Sequence, residues 1–308
     1  MSLDALYRRG MLLISGSKAA ERLIKGVGRP AVRRFVAGER LEQALDVSRE
    51  LHAEGLTTIL DLLGEFVDTE AGAAVMVTEI VASLELLDAT VQPRIMSVKP
   101  TQLGLAVDFE LALANARRIV EQAHAQGVHI CLDMENYPHV ERTLALYRCL
   151  HASGLTSVST VLQSYLYRSL DDLQELTRMD PKPELRIVKG AYLESPKVAM
   201  QDKRQVDRSF RELVFKGFEA GAKINVATHD DAIVREVEAY VRGARLEASD
   251  YEFQFLYGVK PTLQRSLAKA GHVVRIYVPY GKDWYGYFSR RLAERPANLL
   301  FIVRGLFG

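Results

Sequence analysis

The chain has 308 residues, of which 48% are hydrophobic and 26% charged, with a formal net charge of +1. These are the proportions of a globular protein able to bury a large core. The near-neutral balance and the lack of any Lys/Arg-rich run exclude a strong electrostatic pull toward nucleic acid or an anionic membrane.

In chain order, short β-branched runs alternate with amphipathic helical stretches. Residues 1–55 hold "ERLIKGVGRPAVRRFVAG" and "GERLEQALDVSRELHAEG", which read as a helical segment packed on the rest of the chain. The runs are then "TTILDLLGE" (57–65), "RIMSVK" (94–99), "VHICLDME" (128–135) and "VSTVLQSY" (158–165). Four more complete the series: "LRIVKGAY" (185–192), "INVATHD" (224–230), "YEFQFLYG" (251–258) and "VVRIYVPYG" (273–281). Helical patterns between them cover 110–127, 140–154, 204–221 and 230–243, and several end in Gly, as a helix stop should. Eight such repeats predict a (β/α)8 barrel over 56–308. A doubly wound open sheet is the rival, but the first strand is followed by "DLLGEFVDTE" rather than a G-x-G-x-x-G loop.

After the eighth strand comes "YGYFSRRLAER" (285–295), a helical stretch. Tyr287, Arg290, Arg291 and Glu294 fall at i, i+3, i+4 and i+7, so they share one broad face. Cys131 and Cys149 match no zinc or redox spacing and fit a reducing cytoplasm. No segment is apolar enough to span a bilayer, and "MLLIS" is too short and poorly flanked for a signal peptide.

An active site in such a barrel lies at the C-terminal ends of the strands. Polar residues gather there: Glu65, Lys99, Asp133 and Glu135, Gln163 and Tyr165, then Arg186, Lys189 and Tyr192. Thr228, His229 and Asp230, then Glu252, Gln254 and Tyr257, and finally Tyr277 and Tyr280 complete the set. Each alone has an ordinary structural reading. Eight strand ends carrying such groups are harder to dismiss, because charges are rarely buried unless paired or working. No metal-ligand motif and no G-x-S-x-G is present. A mouth rich in Arg, Lys, Tyr and Gln suits an anion, and an arginine pair suits a carboxylate. Two chemistries fit: a Schiff-base aldolase using Lys99 or Lys189, or cofactor-assisted redox on a carboxylate substrate. A barrel that merely binds an acidic ligand is a more distant reading.

The motifs "DLLGE", "LDME", "LQSYLYR", "RIVKGAY", "ATHD", "EFQFLYG" and "WYGYFSRRLAERPANLLF" resemble those of the proline dehydrogenases. The resemblance runs from about Ala31 onward and looks like the stand-alone bacterial form. It implies a distorted (β/α)8 barrel holding FAD, with the final helix over the active site. It implies oxidation of L-proline to 1-pyrroline-5-carboxylate, with electrons passed to membrane quinone.

By the same resemblance, Arg290 and Arg291 match the carboxylate-binding pair, with Lys99 as a third cation. Tyr277, Tyr287 and Leu256 look like the walls around the proline ring. Asp133 and Tyr192 match positions beside the reacting centre. Arg186 looks like the residue at the flavin N5 and O4 edge. Met134, Gln163, Val188, Lys189, Gly190, Thr228 and His229 look like FAD contacts, and small Ala191 would let the isoalloxazine lie close. Glu65 and Arg290 are expected to pair as a gate over bound substrate, with Glu294 bracing an arginine from behind. Quinone reduction would bring peripheral contact with the inner membrane, for which "NLLFIVRGLFG" and "MLLI" are candidates, although stretches this short are more often core.

Overall fold

In the computed structural model, residues 32–64, 67–87, 89 and 91–294 are described, with the side chains of residues 292–294 excepted. Strand β7 (Tyr251–Leu256) shows how the fold is built. Its sequence YEFQFL alternates, and successive strand side chains point to opposite faces. Tyr251, Phe253 and Phe255 join the apolar core, while Glu252 and Gln254 are buried and bonded to polar groups of other strands. Strand β8 (Val274–Tyr280) repeats the pattern, with Val274, Ile276 and Val278 in the core and Arg275 and Tyr277 bonded across strands.

The remaining strands are β1 (Thr57–Leu62), β2 (Arg94–Val98), β3 (Val128–Leu132), β4 (Val158–Gln163), β5 (Glu184–Val188) and β6 (Lys223–Ala227). All neighbours pair in parallel, and β1 closes on β8 from Thr57↔Arg275 to Leu62↔Tyr280. The sheet is therefore a closed eight-stranded barrel. Each strand is shorter than its sequence run suggests. The polar tails "DME", "SY" and "KGAY" fall in the loops at the C-terminal end, where a mouth needs them.

Nine α-helices lie among the described residues. Seven connect the strands: α2 (Glu70–Leu86), α3 (Phe109–Ala125), α4 (Tyr137–Ala152), α5 (Ser169–Leu176), α6 (Lys203–Glu219), α7 (Asp231–Ala244) and α8 (Pro261–Lys269). Thr69, Asp108, Asp202 and Asp230 cap α2, α3, α6 and α7 by accepting from backbone N–H groups that have no intrahelical partner. The α7 stop differs from the glycine expected at 243. The helix runs on to Ala244, and Arg245 takes the left-handed turn at φ 56°. Leu246 then packs back on the core and bonds the Val241 carbonyl, so an apolar contact sets the stop.

The outer shell departs from a regular barrel where the chain closes. Helix α1 (Leu41–Ala53) buries Ala44 and Leu45 in the main core and bonds Thr58 of β1 through Ser48. The final helix α9 (Trp284–Glu294) joins a separate apolar cluster instead: Val32, Phe35, Val36 and Leu63 with Trp284, Tyr285, Tyr287 and Phe288. Tyr277 and Val259 pack against that cluster, so α9 is fixed at the mouth, as expected for a final helix over the strand ends. Of the helical reading for residues 1–55, α1 is seen; residues 1–31 lie outside the described residues.

Candidate active site

The barrel interior carries charge, and its charged groups are tied together across strands. Arg275 of β8 grips Glu252 of β7 through Nε and Nη2, both at 2.7 Å. Gln254 donates to the same carboxylate and accepts from Arg186 Nε of β5 at 2.6 Å. Arg186 Nη1 donates to Asp133 Oδ1 at 2.6 Å. Ser97 also donates to Oδ1, and the Tyr277 hydroxyl donates to Oδ2, each at 2.6 Å. Lys99 stands 3.5 Å from Asp133 Oδ2 and 2.6 Å from Asp61 Oδ1. The floor of the mouth is thus one network running from β8 and β7 through β5 and β3 to β2 and β1.

Burial by itself raises the Asp133 carboxyl, but Arg186 and Lys99, with hydrogen bonds from Ser97 and Tyr277, outweigh it and hold the group below its ordinary value. Asp61 moves the other way: burial raises it, Lys99 lowers it and the charge of Asp133 raises it again, leaving it above. The Tyr277 hydroxyl is pushed well up by burial and by the two carboxylates, so it remains a donor. Arg186 sits 5.4 Å beneath the centroid of the Tyr277 ring, where a guanidinium is favourable. Cys131 is pushed up to about 11 by burial and is a thiol, in keeping with an inert core cysteine.

The lid sets its arginines beside aromatic rings. Arg291 is buried and lies 5.0 Å from the ring centroid of Tyr287, one turn earlier on α9. Arg290 is half-buried and lies 5.8 Å from the ring of Tyr192, which follows β5. The two adjacent arginines therefore reach different partners, one on α9 itself and one across the mouth. Leu256 ends β7 half-buried, and its N–H donates to His229 Nε2 at 3.0 Å. His229 is thus an acceptor at Nε2, with any ring proton on Nδ1. Glu65 lies outside the described residues, and so does the Glu294 side chain; the expected gate and brace fall there.

The other residues assigned to a cofactor line the ends of β3 to β6. Met134 is buried just past β3. Gln163 ends β4, donating to the Glu135 carbonyl while its buried Oε1 has no hydrogen-bond partner among the described residues. Arg186 Nη2 is likewise buried without one. Val188, Lys189, Gly190 and Ala191 are half-buried in succession. Gly190 has φ 108°, and a Cβ there would meet the Tyr165 ring at 2.3 Å, so this stretch needs glycine twice over. Thr228 is buried and accepts from the Asp230 N–H. An unmet acceptor and an unmet guanidinium donor on adjacent strands, beside a half-open backbone, fit a flat heterocycle with both donors and acceptors. A flavin has that character.

Sequence reasoning did not assign Asp61, Ser97 or Arg275, and it named Glu252 and Gln254 without a role. The usable signal was a charged residue inside a strand run rather than at its end. Such a charge needs a partner on another strand. The two lysines offered for a Schiff base are both held by carboxylates: Lys99 by Asp61, and Lys189 by Asp207 and, at 2.9 Å, by Asp230. An amine nucleophile would have to leave those ion pairs, so the aldolase reading loses its basis.

An eight-stranded parallel barrel that gathers charged groups at its C-terminal mouth has the build of a (β/α)8-barrel enzyme. A family model described as proline dehydrogenase matches residues 44–304. The chain is 42% identical over 308 residues to a proline dehydrogenase of Deinococcus radiodurans, covering 99% of each chain. It is 39% identical over 302 residues to proline dehydrogenase 1 of Bacillus subtilis, covering 98% of this chain and 99% of that one. Among solved structures it resembles proline utilization A from Bdellovibrio bacteriovorus inactivated by N-propargylglycine, with a TM-score of 0.80 and 22% identity. That likeness covers 93% of this chain but only 36% of the longer protein, and it speaks for the fold. The chain belongs to the proline dehydrogenase family and is an oxidoreductase of that family.

Proposed function

We propose that this enzyme oxidises L-proline to 1-pyrroline-5-carboxylate with FAD, delivering the electrons to a membrane quinone as the first step of proline catabolism. The observation that carries the reading is the guanidinium of Arg186. It is locked between Asp133 and Gln254 with Nη2 unmet among the described residues, in a floor over which α9 brings Arg290 and Arg291. When bound, FAD supplies the two-electron acceptor for a hydride from C5 of proline.

This chain's own residues then have distinct tasks. Gln163, Arg186, Thr228, His229 and the stretch from Val188 to Ala191, with the Met134 backbone, would hold the cofactor. Arg290 and Arg291 bind the substrate carboxylate, which aims the ring; such positioning supplies several kcal/mol, about 7–11 in the best intramolecular cases. Tyr277, Tyr287 and Leu256 wall the ring and exclude water. Asp133 has both oxygens engaged and is held ionised, so it serves as the anchor of Arg186 and Tyr277. The substrate ammonium must lose a proton before C5 can give up hydride. That proton passes to water at the mouth beside Tyr192, which is half-buried against Arg290. A place in the cytoplasm with peripheral contact at the inner membrane follows from the quinone acceptor, and liposome flotation of the protein with and without residues 295–308 tests it.

The direct experiment is anaerobic titration of FAD-loaded protein with L-proline. The yellow absorbance should bleach and return on adding a soluble quinone, with 1-pyrroline-5-carboxylate trapped as its o-aminobenzaldehyde adduct. A protein that takes up no flavin, or whose flavin is indifferent to proline, sinks the proposal.

A further inference from the structure

Glu252, Arg275 and Asp61 are charged side chains of the floor with no part in the proposed reaction, and of these three Asp61 is the one bonded to Lys99. Asp61 lies on β1, one residue before the strand ends, and is fully buried at 0% exposure. Its Oδ1 takes the 2.6 Å hydrogen bond from Lys99, while Oδ2 is buried without a hydrogen-bond partner among the described residues. Lys99 stands just past β2, and its longer contact is to Asp133 at 3.5 Å. Both Asp133 oxygens already accept from Arg186, Ser97 and Tyr277. Of these two carboxylates, Asp61 is the one close enough to fix where the ammonium points. A buried carboxylate with an unmet oxygen is costly, and replacing a buried ion pair with apolar groups is often harmless or stabilising. Folding alone therefore gives little reason for an aspartate here.

We infer that Asp61 is a positioning residue for substrate binding, whose carboxylate pins the Lys99 ammonium at the mouth end of β2 so that the substrate carboxylate meets Lys99 as well as Arg290 and Arg291. The inference rests on the proposed proline dehydrogenase activity. Among the described residues, the groups facing Asp61 are Lys99 after β2, Asp133 after β3 and Tyr277 of β8. Because its carboxyl lies above the ordinary value, the hold on Lys99 weakens as the pH falls through that carboxyl's range.

The test is calorimetric titration of the FAD-loaded protein with cyclopentanecarboxylate, which keeps the ring and the carboxylate and lacks the amine. Cyclopentanecarboxamide is the uncharged control. Asp61→Asn removes a negative charge from beside the site, so simple electrostatics would tighten an anion. Loss of position predicts the opposite: carboxylate affinity about tenfold weaker, the size of one lost charge-assisted hydrogen bond, with the carboxamide unchanged. In the parent protein the affinity for the carboxylate, corrected for the ligand's own protonation, should weaken as the pH is lowered, and Asp61→Asn should lose that corrected limb. An unchanged or tighter carboxylate overturns the inference, as does an equal loss for both ligands. Lys99→Met alone and with Asp61→Asn gives a second reading, free of the unbalanced ammonium should the single Asp61→Asn variant fold poorly. The double variant should bind like Lys99→Met; a further loss of about threefold or more would mean that Asp61 acts independently of Lys99 and would overturn the proposal. If the parent protein fails to bind flavin or oxidise proline, the underlying activity fails first, and this inference with it. Normal oxidation with no Asp61 effect fails this inference alone.

Discussion

The floor and the lid of the mouth both present arginines, but they carry them on different frames. In the floor, Arg186 is fixed by Asp133 and Gln254, each at 2.6 Å, on strands of a closed barrel. In the lid, Arg290 and Arg291 lie 5.8 and 5.0 Å from the rings of Tyr192 and Tyr287, on a helix that rests on a small apolar cluster outside the main core. Strands of a closed barrel keep one geometry for the groups they carry, whereas a helix on a small separate cluster has fewer buried contacts to resist a shift. The floor is suited to a resident group that never leaves. The lid is suited to a substrate that must enter and go.

The largest effect should come from breaking the floor. Arg186→Met leaves Asp133 buried without its main cation, which for a buried pair costs about 3–5 kcal/mol. Urea unfolding should show that loss, and the purified variant should carry little or no bound flavin. A stable, fully yellow Arg186→Met protein would erase the distinction between floor and lid.

Substitution in the lid should spare both stability and cofactor. Arg291→Ala or Arg290→Ala removes about 1.5–3 kcal/mol of charge-assisted bonding, so KM for proline should rise about 10- to 100-fold. Flavin content should be unchanged. Comparable losses of flavin and substrate affinity would place these arginines in the floor's category.

Much of the architecture is legible in the sequence alone, because a βα repeat imposes two periods that differ plainly, 2 and 3.6. The lid is legible for the same reason, since Tyr287, Arg290 and Arg291 share a helical face. The floor is only half legible. Asp133 and Arg186 stand out beside strand ends, but Asp61 sits inside "TTILDLLGE", where Glu65 draws the eye as the terminal charge. The strand stops at Leu62, three residues earlier than the run suggests, so the last inward charge of β1 is Asp61. Only pairing with Lys99, 38 positions along the chain, explains it, and that distance is invisible to periodicity.

Acid should separate two carboxylates within the floor. The Asp133 carboxyl is lowered, so its contribution to stability is complete above the unfolded value of about 3.9 and is lost as the pH falls through the folded value. Asp61 is raised, so its contribution is present below the unfolded value and is lost as the pH rises through the folded one. Stability measured by urea unfolding between about pH 5 and 3 should therefore fall less steeply with acid in Asp133→Asn than in the parent. It should fall more steeply in Asp61→Asn. Parallel acid limbs in all three would show that neither carboxyl is shifted as described.

The smallest effect concerns the residue that joins the two regions. Tyr277 gives its hydroxyl to Asp133 in the floor, while its ring packs against the cluster that carries α9. Tyr277→Phe keeps the ring and removes one hydrogen bond to a charged group, worth about 1.5–3 kcal/mol at most. Asp133 keeps Arg186 and Ser97, so most of that loss should be recovered and stability should change by about 1 kcal/mol. The proline KM should move less than in either arginine variant, because the ring wall is intact. If instead Tyr277→Phe loses flavin as Arg186→Met should, the floor depends on its roof, and the two regions are one unit.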